Sequence, residues 1–160
     1  MNIIDDIGVL AISTRLQRLS EQIRKDGQQV YALYNIDFEP KWFPVIYTLQ
    51  AKSPLSVVEL AGEIGYTHPS TISLLKELEK KGLIRSKRDK EDERKRLLVL
   101  TPKGEALVKQ MKPVWQDMVT ALTAITDTRT NLIRAIEEVE EKIKEQSFLQ
   151  RIQAVKKSKH

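Results

Sequence analysis

Cysteine is absent from this 160-residue chain, which removes disulfide scaffolding, thiol redox sensing, cysteine nucleophiles and Cys-ligated zinc in one step. Imidazole is scarce as well. His68 and His160 are the two histidines, so a histidine-rich metal site is excluded while a carboxylate-rich one is not. His68 has no nucleophile, second histidine or orienting carboxylate at a sensible spacing, so no catalytic constellation is present and the chain is not expected to be an enzyme. Nothing calls for a cofactor. No apolar run approaches the roughly 20 residues that span a bilayer. The N-terminus MNIIDDIGVLAISTRLQRL begins acidic and offers no small-residue cleavage site. A cytoplasmic protein with no membrane partner is expected. There is no Gly/Ser linker, low-complexity tract or internal repeat.

What remains is 41% hydrophobic and 31% charged, with six glycines and six prolines, too apolar for disorder and long enough to bury one core. The net charge of +5 is unevenly placed. Residues 67–104 hold eleven basic and six acidic side chains, a surplus equal to that of the whole chain. Residues 127–147 lean acidic, and 148–160 carry Arg151, Lys156, Lys157 and Lys159 with no acid. A local basic face is the footprint of a nucleic-acid binder, because neutralised phosphates release condensed counterions; a solvated lysine-rich surface would give the same count. The order of residues within the segment has to decide.

At three-and-four spacing, Val9, Ile12, Leu16, Leu19, Ile23 and Val30 predict one helix from about residue 4 to about 34, weakened near its end by Gly27. After the cap candidates Asp127 and Thr128, the residues Leu132, Ile136, Val139 and Ile143, continued by Phe148, Ile152 and Val155, predict a second long amphipathic helix. Neither can hide its stripe alone, so homodimerisation through the terminal helices is expected, with an intramolecular hairpin as the alternative. Between them, residues 38–50 read as a buried helix with Pro40 and Pro44 near its first turn. Residues 102–125 read as another, capped by Thr101 and bent at Pro113. The alternation of Glu137, Glu138, Glu140 and Glu141 with Lys142 and Lys144 reads as a solvated helix face.

The segment from Ser56 carries the functional signal. Ser56-Val57-Val58-Glu59 is a capping box, Gly65 ends that helix, and Thr67 caps a second one running from His68 to Lys81 and stopped by Gly82. Two short helices with a tight turn read as a helix-turn-helix. In the second, Ile72, Leu75 and Leu78 face the core, leaving His68, Ser70, Thr71, Ser73 and Lys76 outward, where small hydrogen-bonding side chains fit a major groove. LIRSKR and KRLLVLT then bracket the charged loop DKEDER as a β-hairpin. This order gives a winged helix whose wing can lay Arg94 along a minor groove while Arg88, Lys95 and Arg96 meet phosphates. Asp92, two residues before Arg94, is placed to orient its guanidinium.

The run LSVVELAGEIGYTHPSTISLLKELEKKGLIRSKRDKEDERKRLLVLTPKGEAL resembles the DNA-binding core of the MarR family of bacterial regulators, notably in its Asp92-Glu93-Arg94 wing signature and the following LTPKG. The resemblance covers about residues 30–125. It implies a mainly α fold with a small β-hairpin wing: a winged helix-turn-helix with long N- and C-terminal dimerisation helices. The DNA-binding region would be 36–104, and the helical dimerisation region 1–35 and 105–160. It further implies a homodimeric transcriptional regulator, most often a repressor, that reads a palindrome in double-stranded DNA with the Asp-x-Arg arginine in the minor groove. YALYNIDFEPKWFPVIYTLQ is similar to the regulator half of MarR proteins fused to an acetyltransferase, but the Gly-rich acyl-CoA loop of such fusions is missing. The chain also lacks the cysteines and histidine clusters of peroxide- and zinc-sensing members. A small aromatic or amphipathic ligand, or ligand-independent binding, remains. Tyr31, Tyr34, Phe38, Trp42 and Phe43, with Met111 and Trp115, are either an inducer pocket or aromatic core. A winged-helix adaptor that binds protein rather than DNA is the competing reading, separated by Arg94, Lys95 and Arg96, which an adaptor does not need.

Overall fold

A computed structural model describes residues 2–160. It divides into two compact units, one ending at Val114 and one spanning Trp115–His160. The first begins with a short helix α1 (Ile3–Asp6), a 3-10 turn (Gly8–Ala11) and the long α2 (Ile12–Leu33). The single helix expected over residues 4–34 is thus broken near its start. Gly8 adopts φ 66°, a left-handed conformation that glycine takes without steric cost and that an α-helix cannot continue through. A second 3-10 turn (Pro40–Trp42) leads into α3 (Phe43–Lys52), whose Val45, Ile46 and Leu49 are completely buried.

A two-residue strand β1 (Leu55–Ser56) precedes α4 (Val57–Ile64) and α5 (His68–Lys80), followed by β2 (Ile84–Arg88), β3 (Arg96–Leu100) and α6 (Pro102–Thr126). The sheet order is β1-β3-β2, all antiparallel. Sequence periodicity predicts only the β2–β3 hairpin. β1 is too short to show a period, and it pairs Leu55 with Leu98 across the sheet. Leu60, Leu75, Leu78, Leu83, Ile84, Leu98, Val108 and Met111 join α3 in the core. α6 stays one helix through Pro113.

The LTPKG segment owes its residue types to this packing. Thr101 Oγ donates to the Gly82 carbonyl at 2.6 Å and accepts from the Gly104 amide at 3.0 Å, so one hydroxyl ties the exit of α5 to the start of α6. Pro102 occupies the first helical position, where its missing N–H costs nothing. A Cβ on Gly104 would lie 2.2 Å from the Leu83 carbonyl oxygen, so only glycine allows this approach.

In the second unit α6 completes its length, followed by α7 (Leu132–Glu145) and α8 (Phe148–Ser158). The last long helix expected from the sequence is therefore two. Asn131, not Asp127 or Thr128, caps α7 by accepting from the Arg134 amide at 3.1 Å; Asp127 instead accepts from the Asn131 side chain at 3.1 Å. Gln146 is extended (φ −158°, ψ 122°), and Ser147 with Gln150 forms a full capping box that restarts the chain as α8. Among the described residues, no helix is long and apolar enough to cross a membrane.

Candidate nucleic-acid interface

The helix-turn-helix is set by its caps. Ser56 Oγ accepts from the Glu59 amide at 3.2 Å while the Glu59 carboxylate accepts from the Ser56 amide at 2.7 Å; these bonds to Ser56 hold the Glu59 carboxyl below its ordinary pKa. Gly65 takes φ 78°, which turns the chain sharply out of α4. Thr67 Oγ accepts from the Ser70 amide at 3.3 Å and starts α5. At the other end Gly82 (φ 71°) closes α5: the Leu83 amide donates to the Leu78 carbonyl at 3.1 Å and the Gly82 amide to the Glu79 carbonyl at 2.9 Å, the paired bonds of a Schellman motif. Both ends of α5 are thereby fixed.

His68, Ser70, Ser73 and Lys76 lie exposed on α5. Thr71 does not, and its expected place on the outward face is corrected here. It is fully buried, and its hydroxyl donates to the Thr67 carbonyl at 2.9 Å. Thr71, Leu75 and Leu78 form an i, i+4, i+7 stripe that faces the core, and Ile72 is left half-buried beside it. The backbone bond removes the cost of burying the hydroxyl, so a threonine is tolerated at a core position one residue before the apolar pattern begins at Ile72.

The wing brings the basic residues together. Arg88 lies directly opposite Arg96 where the β2–β3 ladder meets the loop. Like charges at such a pair oppose sheet formation, a cost that an anionic partner would relieve. In the loop, Asp89 and Lys95 close the turn through an amide-to-carbonyl bond of 3.1 Å. Asp92 Oδ1 accepts from the Arg94 amide at 3.1 Å and sits 3.5 Å from Arg94 Nε. The Arg94 side chain is 94% exposed, so it is oriented at its base and free at its tip. Lys95 is exposed alongside.

The aromatic candidates separate. Tyr31, Phe38 and Trp42 are buried and stacked edge to face, with ring centroids 4.9 Å apart for Tyr31–Phe38 and 5.6 Å for Phe38–Trp42. Met111 is completely buried. Phe43 turns to Tyr47, 5.2 Å away, Tyr34 is largely exposed, and Trp115 is a half-buried residue of the second unit. Trp42 lines a cleft of about 350 Å³ that it shares with Asn35, Asp37, Lys81, Lys103 and Gln110.

Sequence reasoning missed what holds Trp42. Its indole N–H donates to Glu77 at 3.1 Å, and Lys41 pairs with the same carboxylate at 3.0 Å. The bond from Lys41, then that from Trp42, keeps the Glu77 carboxyl below its ordinary pKa. The Lys81 ammonium stands 5.8 Å over the Trp42 ring. The partners are about ten helical turns of sequence apart, and no local pattern links them.

Residues 28–95 match the model of the MarR family. The HTH-type transcriptional regulator SarZ of Staphylococcus haemolyticus (strain JCSC1435) is 27% identical over 109 residues, which is 68% of this chain and 74% of SarZ. The transcriptional repressor CouR, solved bound to a 23-mer DNA duplex, is similar in structure with a TM-score of 0.67 at 27% identity, covering 84% of this chain and 96% of CouR. Across residues 28–95 the chain is similar to the MarR family. BpsR of Bordetella bronchiseptica shares the fold (TM-score 0.66, 21% identity, 83% of this chain and 92% of BpsR). The chain is thus similar to DNA-binding transcriptional regulators of winged-helix fold, and α5 with the β2–β3 wing is where the exposed small polar and basic side chains described above lie.

Proposed function

We propose that the chain acts in the cytoplasm as a homodimer that binds a palindromic operator in double-stranded DNA, represses from it, and leaves it when a small ligand binds. Residues 36–104 read the DNA and residues 1–35 and 105–160 dimerise. No cofactor and no catalytic step enter this reading. The observation that carries it is the wing tip, where an almost fully exposed Arg94 is steered at its base by Asp92. Such a guanidinium suits the narrow, strongly negative minor groove of a duplex, with Arg88, Lys95 and Arg96 on the flanking phosphates. His68, Ser70, Ser73 and Lys76 of α5 would then face the major groove, where Ser70 and Ser73 are small enough to let the helix approach base edges.

The ligand part rests on the cleft beside Trp42, which offers one aromatic wall and the ammonium groups of Lys81 and Lys103 to an amphipathic or acidic aromatic molecule. BpsR is a protein whose DNA binding is regulated by 6-hydroxynicotinic acid. In this chain a molecule pressing on Trp42 would pull on Glu77, and so on α5 itself.

Arg94→Ala is the test. Operator affinity measured at several salt concentrations should fall about tenfold or more, in line with the ~1–3 kcal/mol of a lost groove contact, with folding unchanged because the side chain is exposed. Asp92→Ala should reproduce part of that loss. Parent-like operator affinity of Arg94→Ala at every salt concentration would remove the wing from the interface.

A further inference from the structure

Caps fix where α5 starts and stops, but they do not fix its roll about its own axis. The stripe that faces the core, Thr71, Leu75 and Leu78, holds α5 mainly by apolar contact, which is non-directional. A directional hold on the roll has to come from the flank of the helix, and Glu77 supplies one. It lies seven residues after Ser70 and four after Ser73. At 3.6 residues per turn those spacings fall within about 20° and about 40° of whole turns, so Ser70, Ser73 and Glu77 share one side of α5.

The Glu77 carboxylate is gripped from a separate segment. The Trp42 indole N–H donates to Glu77 Oε1 at 3.1 Å, and the Lys41 ammonium stands 3.0 Å from the same oxygen. Both partners sit on the 3-10 turn Pro40–Trp42, which is itself anchored. Trp42 is buried, edge to face against Phe38, and Lys41 also pairs with Glu39 at 3.2 Å. Lys81, at the C-cap of α5 and four residues after Glu77, stands over the same indole. Two successive turns of α5 thus hold one fixed ring.

An ion pair this exposed adds little to folding, so its effect lies in geometry. A roll of about 20° carries a Cα at ~2.3 Å radius by ~0.8 Å, and a side-chain oxygen further out by more. Hydrogen-bond lengths span only about 0.5 Å. We propose that Glu77, held by Lys41 and Trp42, is a positioning residue for sequence discrimination: it sets the roll of α5 and with it the angle at which Ser70 and Ser73 meet base edges. The inference rests on the operator-reading role proposed above for α5. General attraction to DNA through Arg88, Arg94, Lys95 and Arg96 draws on other contacts and is left as it is.

The test compares full-length parent, Glu77→Ala, Lys41→Met and the double variant on two duplexes at several salt concentrations. One duplex is selected by the parent from a randomised pool; the other is a scramble of the same composition. Glu77→Ala removes both grips, while Lys41→Met alters an exposed side chain and keeps the Trp42 bond, so its result decides should Glu77→Ala fail to fold. If the two residues acted as plain charges, losing the acid would tighten both duplexes and losing the base would weaken both, with the ratio between duplexes unchanged. Positioning instead lowers the preference for the selected duplex in each single variant, at least fivefold in Glu77→Ala and less in Lys41→Met, and the double variant falls no further than Glu77→Ala. Partial unfolding would lower both affinities together and leave the ratio unmoved. Parent-like ratios in the single variants, or strictly additive losses in the double, would overturn the joint grip while leaving operator reading intact. A parent that selects no sequence would overturn operator reading and this inference together.

Discussion

In the first unit Val45, Ile46, Leu49, Leu60 and Leu78 retain no exposed surface, while in the second Ile133, Val139 and Ile143 keep more than half of theirs. By sequence α7 is the most strongly amphipathic of these helices and α3 the least. Every buried residue of the described chain lies at or before Val114. Three-and-four spacing therefore states that a helix face requires cover, and it is silent on which chain supplies the cover. Within the first unit α3, α4 and α5 meet the requirement because caps and turns bring them and the sheet together around Leu78 and Leu98, whereas α2 leaves Ile12 and Leu16 55% and 48% exposed. α7 and α8 have no such return in their own chain.

Single truncations should sharpen that contrast. Leu78→Ala removes a fully buried side chain and should cost about 2–5 kcal/mol, read by chemical denaturation, with the same loss at every protein concentration. Ile136→Ala, 38% exposed in one chain, should leave the unfolding of a dilute sample nearly unchanged and lower stability only where dimer is populated. A large loss at Ile136 that ignores protein concentration would erase the distinction between the units.

Gly104→Ala comes next in size. The new methyl group meets the Leu83 carbonyl oxygen, which also accepts from the Thr101 amide at 3.1 Å. The overlap should cost about 1–3 kcal/mol, outweighing the gain of up to ~1 kcal/mol that alanine brings to a helix. A variant as stable as the parent in thermal melts would mean that the joint between α5 and α6 yields readily.

The smallest effect is a pH dependence. The Glu77 carboxyl, held below its ordinary pKa by Lys41 and then Trp42, contributes fully above the ordinary carboxylate pKa. The contribution fades as pH falls through the lowered value. Glu77→Gln should lower stability at neutral pH, only slightly given how exposed the Lys41 partner is, and converge on the parent as pH falls, so that its acid limb is flatter. An acid limb identical to the parent's would show that the Glu77 ion pair contributes nothing to folding.

What could be read from the sequence was local. Ser56 and Glu59, Thr67, Gly65 and Gly82 each act within a few residues of their own position, so the helix-turn-helix and its limits were legible without coordinates. The wing was legible for the same reason, since strand, charged loop and strand are consecutive. Gly8 and the Ser147–Gln150 box are also local signals, but strong apolar periodicity on either side ran through them and masked two breaks. Thr71 was misplaced because a polar residue at a core position looks outward until its hydroxyl is seen to have a backbone partner. The grip of Glu77 on Trp42, and the addition of β1 to the sheet, depend on residues far apart in the chain. A residue-by-residue pattern holds no record of such encounters.

Thr101 gives the joint between α5 and α6 a property that neither helix possesses alone. Its hydroxyl joins the Gly82 carbonyl to the Gly104 amide, and Lys103 Nζ adds a bond to the Lys81 carbonyl at 2.9 Å, so the joint is clamped at two points rather than hinged. A clamp transmits rotation: whatever tilts the first turn of α6 swings the exit of α5 with it. The angle at which α5 holds Ser70 and Ser73 to solvent is then governed from the far end of that helix, by a threonine that lies outside it.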